Sequence, residues 1–339
     1  NFNYILGDRT LIKNVHRFPW HSEVYDNKVK RNPPIPHYNE IESPIDIAHE
    51  LITLLEDEFI NEFGEYPKIW NLQTGGLDSR VTLGIINKLK KEGKLNSEIK
   101  LLTWGTENSR DVTYARKIAE LYHYDFYHLP IEPEILKTNT EIAVEYGAAE
   151  VSAFHYHAMD KIKELVDKND VVIASSFGDS IGRAEFSGNH LSNLTPRFIK
   201  NAYWLFNKKI FDHHKNILKN DRSLAWISDR EQSKDTRNEL DMQENYMRRM
   251  LVHTMDYIRS FTNLKQTFTS EKIVSQMFSY SPTCRNFDTY YHALKTLDPK
   301  LMELPWARTG IDLRNQNMEE NQNLSKEYNA YNDRFLADF

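Results

Sequence analysis

The chain has 339 residues, of which 40% are hydrophobic and 27% are charged, and its formal net charge is −6. This composition is typical of a globular protein of about two domains, and the acidic balance argues against partners such as nucleic acid or an anionic membrane surface. A single cysteine, Cys284, excludes an intramolecular disulfide, a cysteine-rich metal site and a catalytic cysteine pair. No apolar run reaches the length of a membrane span and no secretory signal opens the chain, so the default expectation is a cytoplasmic setting.

The first 40 residues are polar and irregular, with a proline-rich turn near their end. We interpret residues 1–40 as an arm or as the remnant of another domain, and the start at Asn1 suggests missing sequence. Residues 10–19 are predicted to form a small hairpin. Ser43 and Pro44 then mark the beginning of a helix, as N-cap and first helical residue. Its apolar stripe has helical spacing and consists of Ile47, Leu51, Leu54, Leu55 and Phe59.

Strand and helix patterns alternate from there to residue 195. Strands are predicted over 68–72, 99–104, 125–129 and 171–174. Helices are predicted from about Leu77 until Gly93 and over 111–122, 142–146 and 154–166. This alternation predicts an α/β fold with a doubly wound parallel sheet. Beyond residue 195 the strand signal disappears, and helices are predicted over 198–218, 234–261, 271–278 and 287–297. The predicted organisation is an α/β domain over 41–195 followed by a helical region over 196–339.

A glycine pair lies between the first predicted strand and the following helix, in the sequence Thr74-Gly75-Gly76-Leu77-Asp78-Ser79. The glycines permit a tight turn whose N–H groups point inward, and the helix N-terminus adds unpaired N–H groups with the positive end of the dipole. The pattern is neither a P-loop, because no Gly-Lys-Ser/Thr follows, nor a dinucleotide fingerprint, because the third glycine is missing. The stretch predicts a cradle for phosphate, with Asp78 placed to hold a divalent cation.

This stretch resembles the pyrophosphate loop Ser-Gly-Gly-x-Asp-Ser of the N-type ATP pyrophosphatases (a HUP-like fold), with Thr74 in place of the first serine. The order of the later segments resembles the synthetase domain of the asparagine synthetase family, which includes β-lactam, carbapenam and lasso-peptide ring-closing enzymes. The likeness extends from about Asp8 to about Leu313. Residues 8–20 are similar to the segment that closes the family's glutaminase-like domain.

The resemblance implies an amide-forming ligase that uses ATP and Mg²⁺. In the family, a substrate carboxylate becomes an acyl-adenylate with release of pyrophosphate, and ammonia or an amine then attacks. The implied nucleotide-binding residues of the first loop are Thr74, Gly75, Gly76, Leu77, Asp78 and Ser79, with Asp78 also as the first metal ligand. Leu72 and Thr103, at strand ends, would border the adenosine.

A second loop, Ser175-Ser176-Phe177-Gly178-Asp179, follows the fourth predicted strand and resembles the family's Ser-Gly-Glu-Gly-Ser-Asp segment. The resemblance implies that Ser175, Ser176 and Gly178 contact the nucleotide and that Asp179 is the second Mg²⁺ ligand. The alternative is an ordinary strand exit in which Asp179 caps the next helix. Phe177 stands where family members place Glu or Tyr near the attacking nucleophile, and Phe cannot move a proton.

Two further positions are candidate catalytic residues. Arg308 stands where the family carries a lysine that stabilises the adenylation transition state, and it keeps the positive charge. The alternative for Arg308 is a surface arginine on an irregular tail. Glu145 or Glu150, before the fourth strand, could deprotonate the amine in place of the residue lost at Phe177; the alternative is a solvated glutamate.

The substrates stay open at this stage. The carboxylate is a small molecule or a peptide, and glutamine hydrolysis within this chain is not expected, because position 1 is Asn and the sole cysteine is distant. Free ammonia, a partner glutaminase, a missing N-terminal domain or a substrate amine would supply the nitrogen. The alternatives to a ligase are a degenerate nucleotide-binding subunit and another adenylating enzyme such as a tRNA thiolase. The latter would need paired cysteines and a basic surface.

Overall fold

The structure, a computed structural model, describes residues 5–185, 187, 207–224 and 233–314. The strands of this part of the chain are β1 (Ser22–Tyr25), β2 (Lys28–Arg31), β3 (Lys68–Leu72), β4 (Glu98–Gly105), β5 (Asp125–Pro130), β6 (Val171–Ala174) and β7 (Asn263–Gln266). The α-helices are α1 (Pro44–Phe63), α2 (Leu77–Lys91), α3 (Arg110–Tyr122), α4 (Ile135–Glu145), α5 (Met159–Ile162), α6 (Lys208–Leu224), α7 (Lys234–Asp241), α8 (His253–Arg259), α9 (Glu271–Ser279) and α10 (Phe287–Leu297). A π-helix, Met242–Val252, joins α7 to α8, and a π-helical turn, Gly178–Gly182, follows β6.

The centre of the fold is a five-stranded parallel sheet in the order β5-β4-β3-β6-β7. Side chains alternate across it: Ile69 of β3 packs into one core, whereas Trp70 packs into the other. The first core lies under α1, α2, α9 and α10, and the second lies under α4, α5 and α8. Helices therefore cover both faces, and the predicted doubly wound α/β fold is confirmed.

Most of the predicted elements occur near their predicted positions. Helix α1 begins after Ser43, whose side chain accepts a hydrogen bond from the N–H of Asp46 at 3.1 Å. Strand β6 has the predicted bounds. The prediction of a helix over 154–166 was wrong, because this stretch holds a 3₁₀ turn, Ala153–Tyr156, and the four-residue α5. The helix predicted over 198–218 lies partly outside the described residues.

Strand β7 corrects the expectation that no strand follows residue 195. Its sequence, Asn-Leu-Lys-Gln, has one apolar residue, Leu264, and therefore gives no strand signal. The strand pairs with β6 at the edge of the sheet, and its apolar residue, Leu264, packs into the second core. The sheet thus includes a strand from the part of the chain that was expected to be helical.

The N-terminal arm, residues 5–40, packs against the π-helix Met242–Val252. Arg249 donates hydrogen bonds to the carbonyls of Ile5, at 2.9 Å, and Arg9, at 2.7 Å. The predicted hairpin over 10–19 was wrong: Arg9 and His16 form an isolated bridge, and the hairpin strands are β1 and β2. Within the described ranges, no helix combines the length and the apolar character that a bilayer span needs.

Candidate functional site

The loops after β3 and β6 lie side by side at the carboxyl edge of the sheet. From β3 the chain adds β4 and β5 on one side, and then returns to add β6 and β7 on the other. In open parallel sheets, ligands bind outside the carboxyl ends of the strands where the direction of winding reverses. The two loops that the sequence singled out flank this switch point.

The first loop, residues 73–79, is held in shape by its own polar groups. The N–H of Thr74 donates to Oγ of Ser79 at 3.2 Å, and the N–H of Gly76 donates to Oγ1 of Thr74 at 3.0 Å. Gly76 is the N-cap of α2 and has no capping side chain. The N–H groups of the first turn of α2, at 77–79, have no partner four residues earlier in the helix and lie at the positive end of its dipole. This arrangement suits an anion.

Gly75 fits this loop because no side chain could be placed there. A Cβ on Gly75 would lie 2.6 Å from Cβ of Ala307 and 3.0 Å from Cβ of Tyr114. The carbonyl of Gly75 accepts a hydrogen bond from the N–H of Ala307 at 3.1 Å. Its own N–H donates to Oδ1 of Asp111 at 3.2 Å. The loop therefore touches a segment more than 200 residues further along the chain.

Arg80, which is fully buried, fixes that distant segment to the loop. Its guanidinium donates to the carbonyls of Gly75, at 3.0 Å, Leu301, at 3.1 Å, and Leu304, at 2.7 Å. Burial lowers the pKa of Arg80 to about 10, so the side chain stays protonated at neutral pH. The chain continues from Leu304 to Arg308, which is thereby held next to the first loop.

The predicted metal ligands come from two loops that touch. A Cβ on Gly178 would lie 2.8 Å from both Cβ and Oδ1 of Asp78, so the second loop packs directly on that carboxylate. Burial, followed by the charge of Asp78, raises the pKa of Asp179 to about 7. Asp179 lies inside the turn Gly178–Gly182, whose N-cap is Phe177, so it does not cap that turn.

The donor set of this pair fits a hard cation. Asp78 and Asp179 offer carboxylate oxygens, and a divalent cation would offset both the burial and the charge of Asp78 that raise the pKa of Asp179. The described part of the chain contains no group of three or more ligating side chains. Two ligands are sufficient for Mg²⁺, which keeps several of its waters. The role of the two aspartates as ligands stays a prediction.

Arg183 is a site residue that the sequence analysis missed. Its Nε lies 3.3 Å from Oδ1 of Asp78, and its guanidinium stacks 5.5 Å from the ring centroid of Trp306. The Arg308 guanidinium stacks on the same ring at 5.7 Å, and Glu185 forms ion pairs with both arginines. A cleft of about 660 Å³ is lined by Arg183, Glu185, Trp306 and Arg308. Because Asp78 and Arg183 are 105 residues apart, only the three-dimensional meeting of the two loops relates them.

The residues predicted to border the nucleoside lie at the same edge of the sheet. Thr103 is buried, and within the described residues its Oγ1 has no hydrogen-bond partner. Leu72 ends β3 and is buried. The hydroxyls of Ser175 and Thr82 are 2.7 Å apart, which ties the second loop to α2, and Ser176 is partly exposed. Contact of these side chains with a nucleotide stays a prediction.

The two candidate bases have different environments. Glu145 is exposed at the end of α4. Glu150 is buried and pairs with Arg17 at 2.6 Å and with Arg249 at 3.2 Å. Phe177, the residue that replaces a proton-carrying side chain of the family, is 4% exposed and packs in the first core. Glu145 is therefore the candidate whose carboxylate is open to solvent.

Comparison with known proteins gives a weak likeness of fold. No protein-family model matches the chain, and no curated protein matches it. Among solved structures, it is similar to an NH₃-dependent NAD synthetase from Campylobacter jejuni subsp. jejuni (16% identity, 61% of this chain, 96% of that chain, TM-score 0.32). It is also similar to a glutamine-dependent NAD⁺ synthetase from Acinetobacter baumannii (16% identity, 45% of this chain, 29% of that chain, TM-score 0.29). A predicted subunit of a tRNA methyltransferase from Methanocaldococcus jannaschii has 17% identity over 44% of this chain and 75% of that chain, with a TM-score of 0.23. Similarity at this level does not identify a reaction or a substrate.

Proposed function

We propose that the chain is an ATP- and Mg²⁺-dependent amide-forming ligase, similar to the asparagine synthetases, that adenylates a carboxylate and releases pyrophosphate. The observation that supports this proposal is the meeting of the two loops at the switch point of the sheet, where Gly178 packs on Asp78. Ammonia or an amine then attacks the acyl-adenylate. Free ammonia, a partner glutaminase, a further domain or the amine of a second substrate would supply the nitrogen.

The chemistry of the residues at this edge supports the proposed adenylation. The leaving pyrophosphate gains negative charge, which the first-turn N–H groups of α2 at 77–79 would stabilise. Asp78 and Asp179 would hold Mg²⁺, which neutralises charge on the departing phosphates when bound. Arg308 supplies a fixed positive charge at the cleft beside the loop, and its planar guanidinium can bind a phosphate through two hydrogen bonds.

Glu145 is the proposed acceptor of the proton that the attacking amine loses. Glu150 serves this purpose poorly, because its carboxylate is buried and already paired with two arginines. Replacement of Glu145 by Gln is expected to preserve pyrophosphate release and to reduce the yield of amide. Equal amide yield in the variant and the wild type would contradict this role.

Pyrophosphate release measures the adenylation step directly. The chain is incubated with ATP, Mg²⁺ and a panel of small and peptidic carboxylates, and pyrophosphate and AMP are quantified. We expect at least one carboxylate to give both products in equal amounts. Calorimetry of Mg·ATP with Asp78→Ala, which removes a proposed metal ligand, is expected to show no binding; undiminished affinity would refute the site.

One observation favours a second candidate, a nucleotide-binding subunit without ligase activity. Arg183 already neutralises Asp78 by an ion pair, so the carboxylate is satisfied without a cation. If ATP binds and no carboxylate supports pyrophosphate release, this second function replaces the first.

A further inference from the structure

Arg183 connects the proposed metal ligands with the cleft of about 660 Å³. It directly follows the turn Gly178–Gly182, which contains Asp179, and its N–H donates to the carbonyl of Gly178 at 3.2 Å. Its side chain, only 9% exposed, pairs with Asp78 and also lines the cleft. A movement of this guanidinium would therefore change the metal site and the cleft together.

The guanidinium of Arg183 faces both carboxylate oxygens of Asp78. Its Nε lies 3.3 Å from Oδ1, and its Nη2 lies 3.5 Å from Oδ2. Charge-assisted hydrogen bonds between nitrogen and oxygen are usually about 2.7–2.9 Å long, so this pair is loose. Mg²⁺ carries twice the charge and binds carboxylate oxygens at about 2.0–2.1 Å. A cation on Asp78 would therefore interact more strongly with these oxygens and would repel the guanidinium.

Arg183 has other partners that would hold it if it left Asp78. It forms an ion pair with Glu185, and its guanidinium lies 5.8 Å from the centroid of the Tyr290 ring and 5.5 Å from that of the Trp306 ring. Glu185 and Trp306 line the cleft. A buried charge is costly unless it is paired, and these groups supply the partners on the side of the cleft.

We propose that Arg183 is a displaceable counter-ion, which pairs with Asp78 until Mg²⁺ binds there and then turns into the cleft. After this exchange the guanidinium keeps its ion pair with Glu185 but has lost the one with Asp78, so the cleft gains a donor for an anionic group of the substrate. The metal thus prepares the cleft before the substrate enters. This inference rests on the proposed function, because it takes Asp78 and Asp179 as the Mg²⁺ ligands.

The test is a titration of the full chain with Mn²⁺, without ATP, followed by electron paramagnetic resonance, which detects the free ion. Mn²⁺ prefers the same oxygen ligands as Mg²⁺. In Arg183→Met the metal no longer competes with the guanidinium, and the repulsion between the two cations is removed. We expect this variant to bind Mn²⁺ at least about tenfold more tightly than the wild type.

Three controls assign the gain in affinity to the charge of Arg183. Arg183→Lys keeps a cation beside Asp78 and is expected to bind Mn²⁺ nearly as weakly as the wild type. Arg116→Met removes the same charge from a partly exposed ion pair with Glu107, and its affinity should match that of the wild type. Addition of Asp78→Ala to Arg183→Met should abolish the tight binding. If Arg183→Met does not fold, Arg183→Gln takes its place.

The movement of the guanidinium is followed with phenylglyoxal, which modifies accessible arginine side chains. Mass spectrometry of the peptide that contains Arg183 gives the rate of modification of the wild type with and without Mg²⁺. We expect the metal to accelerate modification of Arg183 severalfold, because the side chain leaves its buried pair for the open cleft. Modification of Arg116, which is partly exposed, should proceed at the same rate in both conditions.

Equal or weaker Mn²⁺ binding in Arg183→Met would overturn the proposal, as would an equal gain in Arg183→Lys or an unchanged rate of modification at Arg183. Both assays omit ATP and the carboxylate, so their results are independent of ligase activity. Mn²⁺ binding that no Arg183 substitution alters refutes this inference alone. Tighter binding in Arg183→Met without pyrophosphate release from any carboxylate refutes the proposed ligase alone.

Discussion

Replacement of Gly178 by alanine tests whether the contact between the two loops builds the ATP site. The added Cβ would lie 2.8 Å from Cβ of Asp78, whereas carbon atoms in contact are about 3.5–4.0 Å apart. The carboxylate oxygen of Asp78 can rotate away, but its Cβ is fixed to the backbone of α2. The loops must therefore separate by roughly 0.7 Å or more.

The second loop resists this separation. The carbonyl of Gly178 accepts a hydrogen bond from the Tyr290 hydroxyl at 2.8 Å. The hydroxyl of Ser175, in the same loop, lies 2.7 Å from the hydroxyl of Thr82. Overpacking at such a position costs about 1–3 kcal/mol of unfolding free energy. Because Mg²⁺ requires near-ideal octahedral geometry, we expect the displacement of one carboxylate to weaken Mg·ATP binding at least about tenfold.

The assay combines urea denaturation with calorimetric titration of Mg·ATP. The control is Gly64→Ala, an exposed position with right-handed helical backbone, φ −62° and ψ −20°, where the nearest atom to an added Cβ is the carbonyl oxygen of Ile60 at 3.2 Å. The control is expected to bind Mg·ATP as the wild type does and to change the free energy of unfolding by less than about 1 kcal/mol. If Gly178→Ala binds Mg·ATP as tightly as the wild type, the two loops do not form a common site and the reasoning is refuted.

Three other substitutions test single interactions of the loop. Burial raises the pKa of Asp111 to about 7, so its ionisation destabilises the fold as the pH rises from about 4 to 7. Asp111→Asn, whose side-chain oxygen still accepts from the N–H of Gly75, should therefore gain up to about 4 kcal/mol of unfolding free energy at pH 8 and nothing at pH 4. Equal gains at the two pH values in urea titrations would contradict this. In urea denaturation, Arg80→Met should lose at least about 3 kcal/mol of unfolding free energy, because buried carbonyls lose their donor. The control Arg116→Met, at a partly exposed ion pair, should lose under about 1 kcal/mol. Pyrophosphate release should fall about 100-fold in Arg308→Ala and far less in Arg308→Lys, and equal rates would exclude an electrostatic role.

The parts of the fold that the sequence predicted depend on neighbouring residues. A helix cap at Ser43 and a buried apolar run at Val171–Ala174 are local signals, and both occur where they were predicted. The proximity of the two loops followed from one general rule, that parallel strands place their carboxyl ends at the same edge. The local pattern and that rule together were enough to predict the position of the candidate site.

The parts that were missed depend on distant contacts. Arg183 reaches Asp78 across 105 residues, and nothing in the sequence around it indicates a partner. Strand β7 is stabilised by pairing with β6 and has only one apolar residue of its own. Such features are set by tertiary packing, which periodicity and spacing do not report.

The contacts of Arg80 have a consequence for biosynthesis. Its guanidinium binds carbonyls 221 and 224 residues further along the chain, at Leu301 and Leu304. During translation the first loop emerges from the ribosome long before these partners, and chains are made at about 5–20 residues per second. For that interval Arg80 lacks the acceptors that allow it to be buried beside the loop. We therefore expect nascent chains that stop before Leu301 to bind no ATP, and ATP binding to arise only when the last part of the chain docks.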